Sequence, residues 1–158
     1  MNLSQHLAKH LRDVHFGGNW TATNYRDVLK DVNWQNATKK IEDFNTIATL
    51  VYHAHYFVCA IHEALVENRL TSKDSESFSH PSIQSENDWQ DFLQQVWNRA
   101  EEVSALIEKF PEEKLPDDFI DPKYGSYYRN FSGVIEHAHY HLGQIVILKK
   151  LLGKDSFM

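Results

Sequence analysis

Several residue types are scarce in this chain, and each scarcity removes a class of protein. Cys59 is the only cysteine among 158 residues, so an internal disulfide and a thiolate metal cage are both excluded, and the usage suits a reducing interior such as the cytoplasm. Lysine and arginine number 16 against 22 acidic residues, for a net charge of −6. The basic residues form no stripe, so a phosphate-tracking surface is not expected and nucleic acid is disfavoured as a partner. No apolar run approaches the roughly 20 residues of a membrane span. His6, Lys9 and His10 interrupt the stretch from Met1 to Arg12 where a signal peptide would be continuously apolar, so neither anchor nor export signal is expected. Gly-rich phosphate loops and nucleophile elbows are absent.

What the chain does contain is helical periodicity in four segments. Its length suits one domain, residues 1–158, with a substantial core. Leu3, Leu7, Leu11 and Val14 make an apolar stripe over Leu3 to Phe16, stopped by Gly17-Gly18-Asn19. A short helical turn is expected at Tyr25 to Lys30. The second helix is predicted from Trp34 to Asn68, about 50 Å long at ~1.5 Å per residue. Its middle is apolar on almost every side, as in a helix buried from several directions. Trp89 to Phe110 restores the pattern up to Pro111, and the last helix is expected from Arg129 to Leu152, ending at Gly153. No segment alternates as a strand does. The expected fold is an all-α four-helix bundle whose second and third connections are longer than simple bundles use, as they are where loops shape a site. Trp20, Trp34, Trp89 and Trp97 are expected to act as packing anchors, and Cys59 as a small core residue.

Histidine is the enriched residue, with ten in all. The stretch His137-Ala138-His139-Tyr140-His141-Leu142-Gly143-Gln144 sets three imidazoles at alternate positions. At about 100° per residue, His137 and His141 lie roughly 40° apart while His139 points nearly opposite. Two imidazoles one turn apart suit a shared metal ion. The predicted second helix supplies His53, His55 and His62. His55 and His62 share a face, and His53 points the other way, among Thr46, Thr49, Phe57, Ala60 and Ala64. Small neighbours leave room for an ion or substrate, so His53 is the preferred third ligand. His6, His10, His15 and His80 read as surface or loop residues, while His55, His62 and His139 read more simply as hydrogen-bonded core residues.

Three neutral imidazoles from two helices can bind a divalent ion and leave a position for water or substrate. Zn, Ni, Fe(II) and Mn all suit such donors. Gln144, one turn beyond His141, is assigned to the site wall, and Tyr56 and Tyr140 to contacts around the ligands or with substrate. Buried imidazoles without an ion would each need a polar partner, which the apolar neighbours scarcely supply. Rival motifs fail on content. Glu136 and His139 satisfy Glu-x-x-His, but a di-iron bundle needs a second pair. His62-Glu63 opens like a zinc-protease helix, yet Val66 stands where the second histidine belongs.

One histidine midway along the second helix, His53, followed by His137-x-x-x-His141-Leu142-Gly143-Gln144 in the last, resembles the DinB-like (DinB/YfiT-like) superfamily of metal-dependent enzymes. The resemblance implies an up-down-down-up four-helix bundle, three histidine ligands to a divalent ion, and frequent homodimers. It further implies hydrolase or thiol-transferase chemistry, some relatives using low-molecular-weight thiols such as bacillithiol, mycothiol or glutathione. The leading expectation is thus a metal-dependent enzyme acting on a small-molecule substrate at a mouth formed by the two long loops. Arg129, Tyr124, Tyr127 and Tyr128 stand ready there to meet an anionic or thiol-bearing substrate, unless those aromatics simply pack their own loop. No catalytic carboxylate stands beside the ligands in the sequence. The alternatives are a non-catalytic metal sensor, a dimeric interaction module, or histidines that bind nothing.

Overall fold

A computed structural model describes residues 1–155. It is all-helical, with no strand among the described residues beyond an isolated antiparallel bridge between Asp118 and Ser126. The helices are α1 (Leu3–Phe16), α2 (Tyr25–Leu29), α3 (Trp34–Thr38), α4 (Ile47–Glu67), α5 (Glu86–Glu108) and α6 (Tyr127–Asp155). Short polar residues start them. Asn2 and Gln5 form a reciprocal capping box on α1, and Asn24, Asn33, Thr46 and Ser85 cap the next four helices by accepting from a backbone N–H of the first turn.

The helix expected from Trp34 to Asn68 is in fact two. The chain leaves the helical region at Lys39, takes a positive φ at Glu42 and restarts at Thr46, whose hydroxyl accepts the Thr49 N–H. The 21 residues of α4 therefore span roughly 31 Å, not 50 Å. Local capping by Thr46 outweighs the apolar pattern that ran through the break. At the other end, α6 continues through Gly153 to Asp155. Glycine there is helical, because a stop requires a left-handed turn that this backbone does not make.

The long helices pack in neighbouring pairs: α1 most extensively with α5, α4 with α6 and with α5, and α6 also with α1. Between them lies a core that includes Leu11, Val51, Val58, Trp89, Val103, Phe131 and Ile145, all at most 2 % exposed. Two buried polar tips cross-link distant segments. Trp89 donates its indole N–H to the Val32 carbonyl at 2.7 Å, and Tyr25 donates its hydroxyl to the Ala138 carbonyl at 2.8 Å. Trp34 and Trp97 also pack against the core. Trp20 does not: it is fully exposed, because Gly17 and Gly18, both at positive φ, turn the chain away from the bundle.

The two long connections are ordered by specific bonds. After α4, the Glu63 carboxylate accepts from the Thr71 N–H, the Thr71 hydroxyl and Arg69, which holds its own pKa below the usual glutamate range. The Tyr56 hydroxyl accepts the Lys73 N–H at 2.8 Å and reaches Glu76 at 3.4 Å. Before α6, Phe119 N–H bonds the Gly125 carbonyl, and Tyr127 and Tyr128 bond back to Asp117 and Leu115. Gly125 has φ +78°, and a Cβ there would stand 2.8 Å from Arg129 Cδ, so this turn requires glycine. No helix among the described residues is long and apolar enough to cross a membrane.

Candidate metal centre

Helix α4 contributes His53 and α6 contributes His137 and His141, and their side chains meet where the two helices pack. The Nε2 atom of His137 lies 3.1 Å from Nε2 of His53 and 3.1 Å from Nε2 of His141. Nitrogens bound at ~2.0–2.1 Å to one ion are separated by about 3.0 Å in octahedral and about 3.4 Å in tetrahedral geometry. The two edges from His137 fall between these values, and the ligand nitrogens of all three residues lie within 4.8 Å of one another, so the three histidines form a group able to hold a metal ion.

The groups behind the rings settle which nitrogen is free. Ser77 donates its hydroxyl proton to the Asp74 carbonyl at 2.7 Å, so at 2.9 Å its Oγ can only accept from His53 Nδ1–H. Gln144 Oε1 accepts from His141 Nδ1–H at 2.7 Å. In both rings the remaining lone pair sits on Nε2 and points into the cluster. His137 Nδ1 is buried with no hydrogen-bond partner, so its tautomer is not set from behind, and presenting the Nε2 lone pair leaves an unpaired Nδ1–H that binding of an ion would have to offset. One proton on His137 Nε2 can be donated fully to only one of its two neighbours, whereas a cation satisfies all three nitrogens.

Aromatic rings wall the cluster. Phe78 stacks on His53 with centroids 4.0 Å apart, Phe57 meets His53 and His137 edge-on, and Tyr140 meets His141 edge-on at 4.9 Å. His53 and His141 are 6 % and 7 % exposed. Burial pushes all three imidazoles below the usual histidine range, His137 down to about 4, with repulsion from His141 and His53 adding to it. All three are therefore neutral near pH 7 and available as ligands.

His137 also lines a cleft of about 950 Å³ between α4, the segment after it, the segment before α6, and α6 itself. Phe57, Ile61, Leu70 and Val134 give it apolar walls, and Asp74, Glu136, Lys123 and Arg129 give it charge. The negative charge of Asp74 acts on both His53 and His137.

The other residues singled out from sequence are distributed as follows. Gln144 orients His141, and Arg129, Tyr124 and Tyr128 line the cleft. Tyr127 instead packs among Phe110, Phe119 and Phe131. Tyr140 touches His141 but is largely exposed. Tyr56 ties down the segment after α4. His55 turns away from the cluster toward Cys59, with Nε2 and Sγ 3.4 Å apart, and His62 faces Glu102 at 3.8 Å. His15 is no surface residue: it is buried, donates Nδ1–H to the Leu11 carbonyl, and stacks on Tyr25.

Three contributors escaped sequence reasoning: Ser77, Phe78 and Asp74. They lie in the connection between α4 and α5, where only its unusual length signals a role. Comparison of the chain with known protein families, curated proteins and solved structures finds no match.

Proposed function

We propose that this chain is a metal-dependent enzyme of DinB-like type, an up-down-down-up four-helix bundle in which His53, His137 and His141 hold a divalent ion for chemistry on a small molecule. The observation that carries the proposal is the convergence of three Nε2 atoms, two of them with their tautomer set from behind by Ser77 and Gln144. The closed sequence of pairings among α1, α5, α4 and α6 supports the bundle. Zn, Ni, Fe(II) or Mn suits three imidazoles. Such an ion supplies Lewis acidity, which lowers the pKa of a water or a low-molecular-weight thiol brought to it and suits hydrolysis or thiol transfer.

The chain's own residues supply the rest. The cleft reaching His137 admits the small molecule, and its apolar walls limit the water around it. Asp74, on the cleft wall beside two of the ligands, is the carboxylate best placed to take a proton from an entering water or thiol. To test this, metal-replete protein is presented with thiol-conjugation and ester-hydrolysis substrates. Turnover that is lost to a chelator and restored by added Zn²⁺ supports the enzyme; stoichiometric metal binding with no turnover across the panel contradicts it.

A second reading, a homodimeric metal sensor, is favoured by one observation. Tyr140, Ile147 and Leu151 are exposed along a single face of α6, and Tyr140 touches the ligand His141. A second copy seated on that face would connect association to the metal. Metal-dependent change in the dimerisation constant, measured by sedimentation, supports the sensor; association indifferent to metal contradicts it.

A further inference from the structure

Arg129 occupies the cleft wall with its charge unspent. Arg12 pairs with Glu101 and Glu108, Arg69 with Glu63 and Glu67, and Arg99 with Glu102, while Arg26 lies over the Phe16 and Trp97 rings. Among the described residues Arg129 is the arginine whose guanidinium meets neither a carboxylate nor a ring. Gly125 leaves the space into which its side chain folds. Nearby Lys123 is already bound to Asp121 at 2.7 Å.

Position along α6 sets the distance to the histidines. Arg129, Gly133, Glu136 and His137 all line the cleft, as residues spaced four, seven and eight apart on one helical face must. Eight residues at ~1.5 Å per residue separate Arg129 from His137 by about 12 Å along the axis. Between them the wall is low, since a Cβ built on Gly133 meets no atom within 4 Å. Charge then narrows the ligand. Asp74 and Glu136 line the same cleft and make no ion pair, so they oppose a second negative charge. A guanidinium matches a carboxylate through two parallel hydrogen bonds, and a dianionic phosphate is disfavoured here.

We propose that Arg129 forms an anion subsite that seats one carboxylate of an elongated small molecule whose other, metal-seeking end reaches the ion held by the histidines, the two positions being about 12 Å apart along the helix axis and the guanidinium, folded toward Gly125, lying beyond that interval. The subsite rests on the metal-centre reading above and deepens it to a substrate class: ω-functional monocarboxylates with an apolar middle, which the Phe57, Ile61 and Val134 walls accommodate.

The test uses the full chain loaded with Co²⁺ and follows the cobalt–thiolate absorption band as chemically defined thiols are added. In a series of ω-mercaptocarboxylates with about eight to fourteen methylene groups, the shortest of which spans the axial interval when extended, the best-fitting member is expected to bind about tenfold more tightly than the matching mercapto-alcohol. The matching mercapto-phosphonate is expected to gain nothing over the alcohol. Arg129→Gln is expected to erase the carboxylate's advantage without changing cobalt uptake. Gly133→Phe, which fills the open wall, is expected to exclude the long thiols while leaving 2-mercaptoethanol binding intact. Cobalt and thiol binding without a carboxylate preference overturns the subsite alone. A preference that survives Arg129→Gln, or one that favours the phosphonate, overturns its assignment. Failure to take up cobalt overturns the metal centre and the subsite together.

Discussion

Replacing Ser77 by alanine removes one hydroxyl that is fully buried and makes two bonds, accepting from His53 Nδ1–H at 2.9 Å and donating to the Asp74 carbonyl at 2.7 Å. Two separable effects follow. In the metal-free protein the buried His53 Nδ1–H loses its acceptor, at a cost of about 1–3 kcal/mol in unfolding free energy, while the exposed Asp74 carbonyl keeps the Ser77 backbone N–H at 3.1 Å. In the metal-bound protein, the His53 ring loses the acceptor that keeps its proton on Nδ1, so the competing tautomer and ring rotation become accessible. Losing such a group behind a ligand typically weakens metal affinity about 10- to 100-fold, or roughly 1.4–2.7 kcal/mol. Competition for Zn²⁺ against a chromophoric chelator reads the second effect, and urea unfolding of the metal-free form reads the first. Ser77→Thr keeps the hydroxyl and serves as the control, with affinity expected to stay closer to wild type than in the alanine variant. Zinc affinity of Ser77→Ala within about twofold of wild type, despite the loss of stability, would refute the idea that the hydroxyl orients a ligand, and would leave it only a loop tether.

Three further outcomes are expected. Gly143→Ala on α6, where an added Cβ meets nothing within 4 Å, should raise stability by about 0.5–1 kcal/mol and Tm by roughly 2–4 °C per kcal/mol for a chain of this size; a lower Tm contradicts the open environment. Tyr25→Phe removes the hydroxyl bonded to the Ala138 carbonyl beside His137 and should cost about 0.5–1.5 kcal/mol or more if the carbonyl stays unpaired, read by chemical denaturation. Burial holds His15 and His55 down to about 4 in the folded chain, below the ~6.5 of an unfolded histidine. As pH falls through 6.5 the unfolded state therefore takes up protons first, and metal-free stability should drop by about 2 kcal/mol per histidine by pH 5 and level off only below pH 4. Stability that is flat between pH 7 and 5 contradicts their neutral burial.

Much of the helical pattern and the grouping of the three histidines is readable from periodicity, since both depend on spacing along individual helices. His137 and His141 need only a 3.6-residue repeat to share a face, and the small residues around His53 distinguish its face from that of His55. The break at Lys39 to Thr46 is harder, because Ile41 and Phe44 keep the apolar rhythm going while the single cap Thr46 signals a restart against it. Harder still are Ser77, Asp74 and Phe78. Their approach to His53 depends on a loop held by Glu63 and Tyr56 across a dozen or so residues, and no local repeat encodes such a contact. The burial of His15, on the Leu7 and Leu11 face of α1 and stacked on Tyr25, and the exposure of Trp20 depend on which segments pack beside them, which composition does not specify.

The central claim is that three imidazoles from α4 and α6 grip one ion, and metal content measured on protein purified without a histidine tag tests it most directly. The expected result is about one divalent ion per chain, lost in His53→Ala, His137→Ala and His141→Ala and kept in His55→Ala and His139→Ala. Metal that persists in any of the first three at wild-type stoichiometry, or that disappears with His55 or His139 instead, contradicts the centre described here.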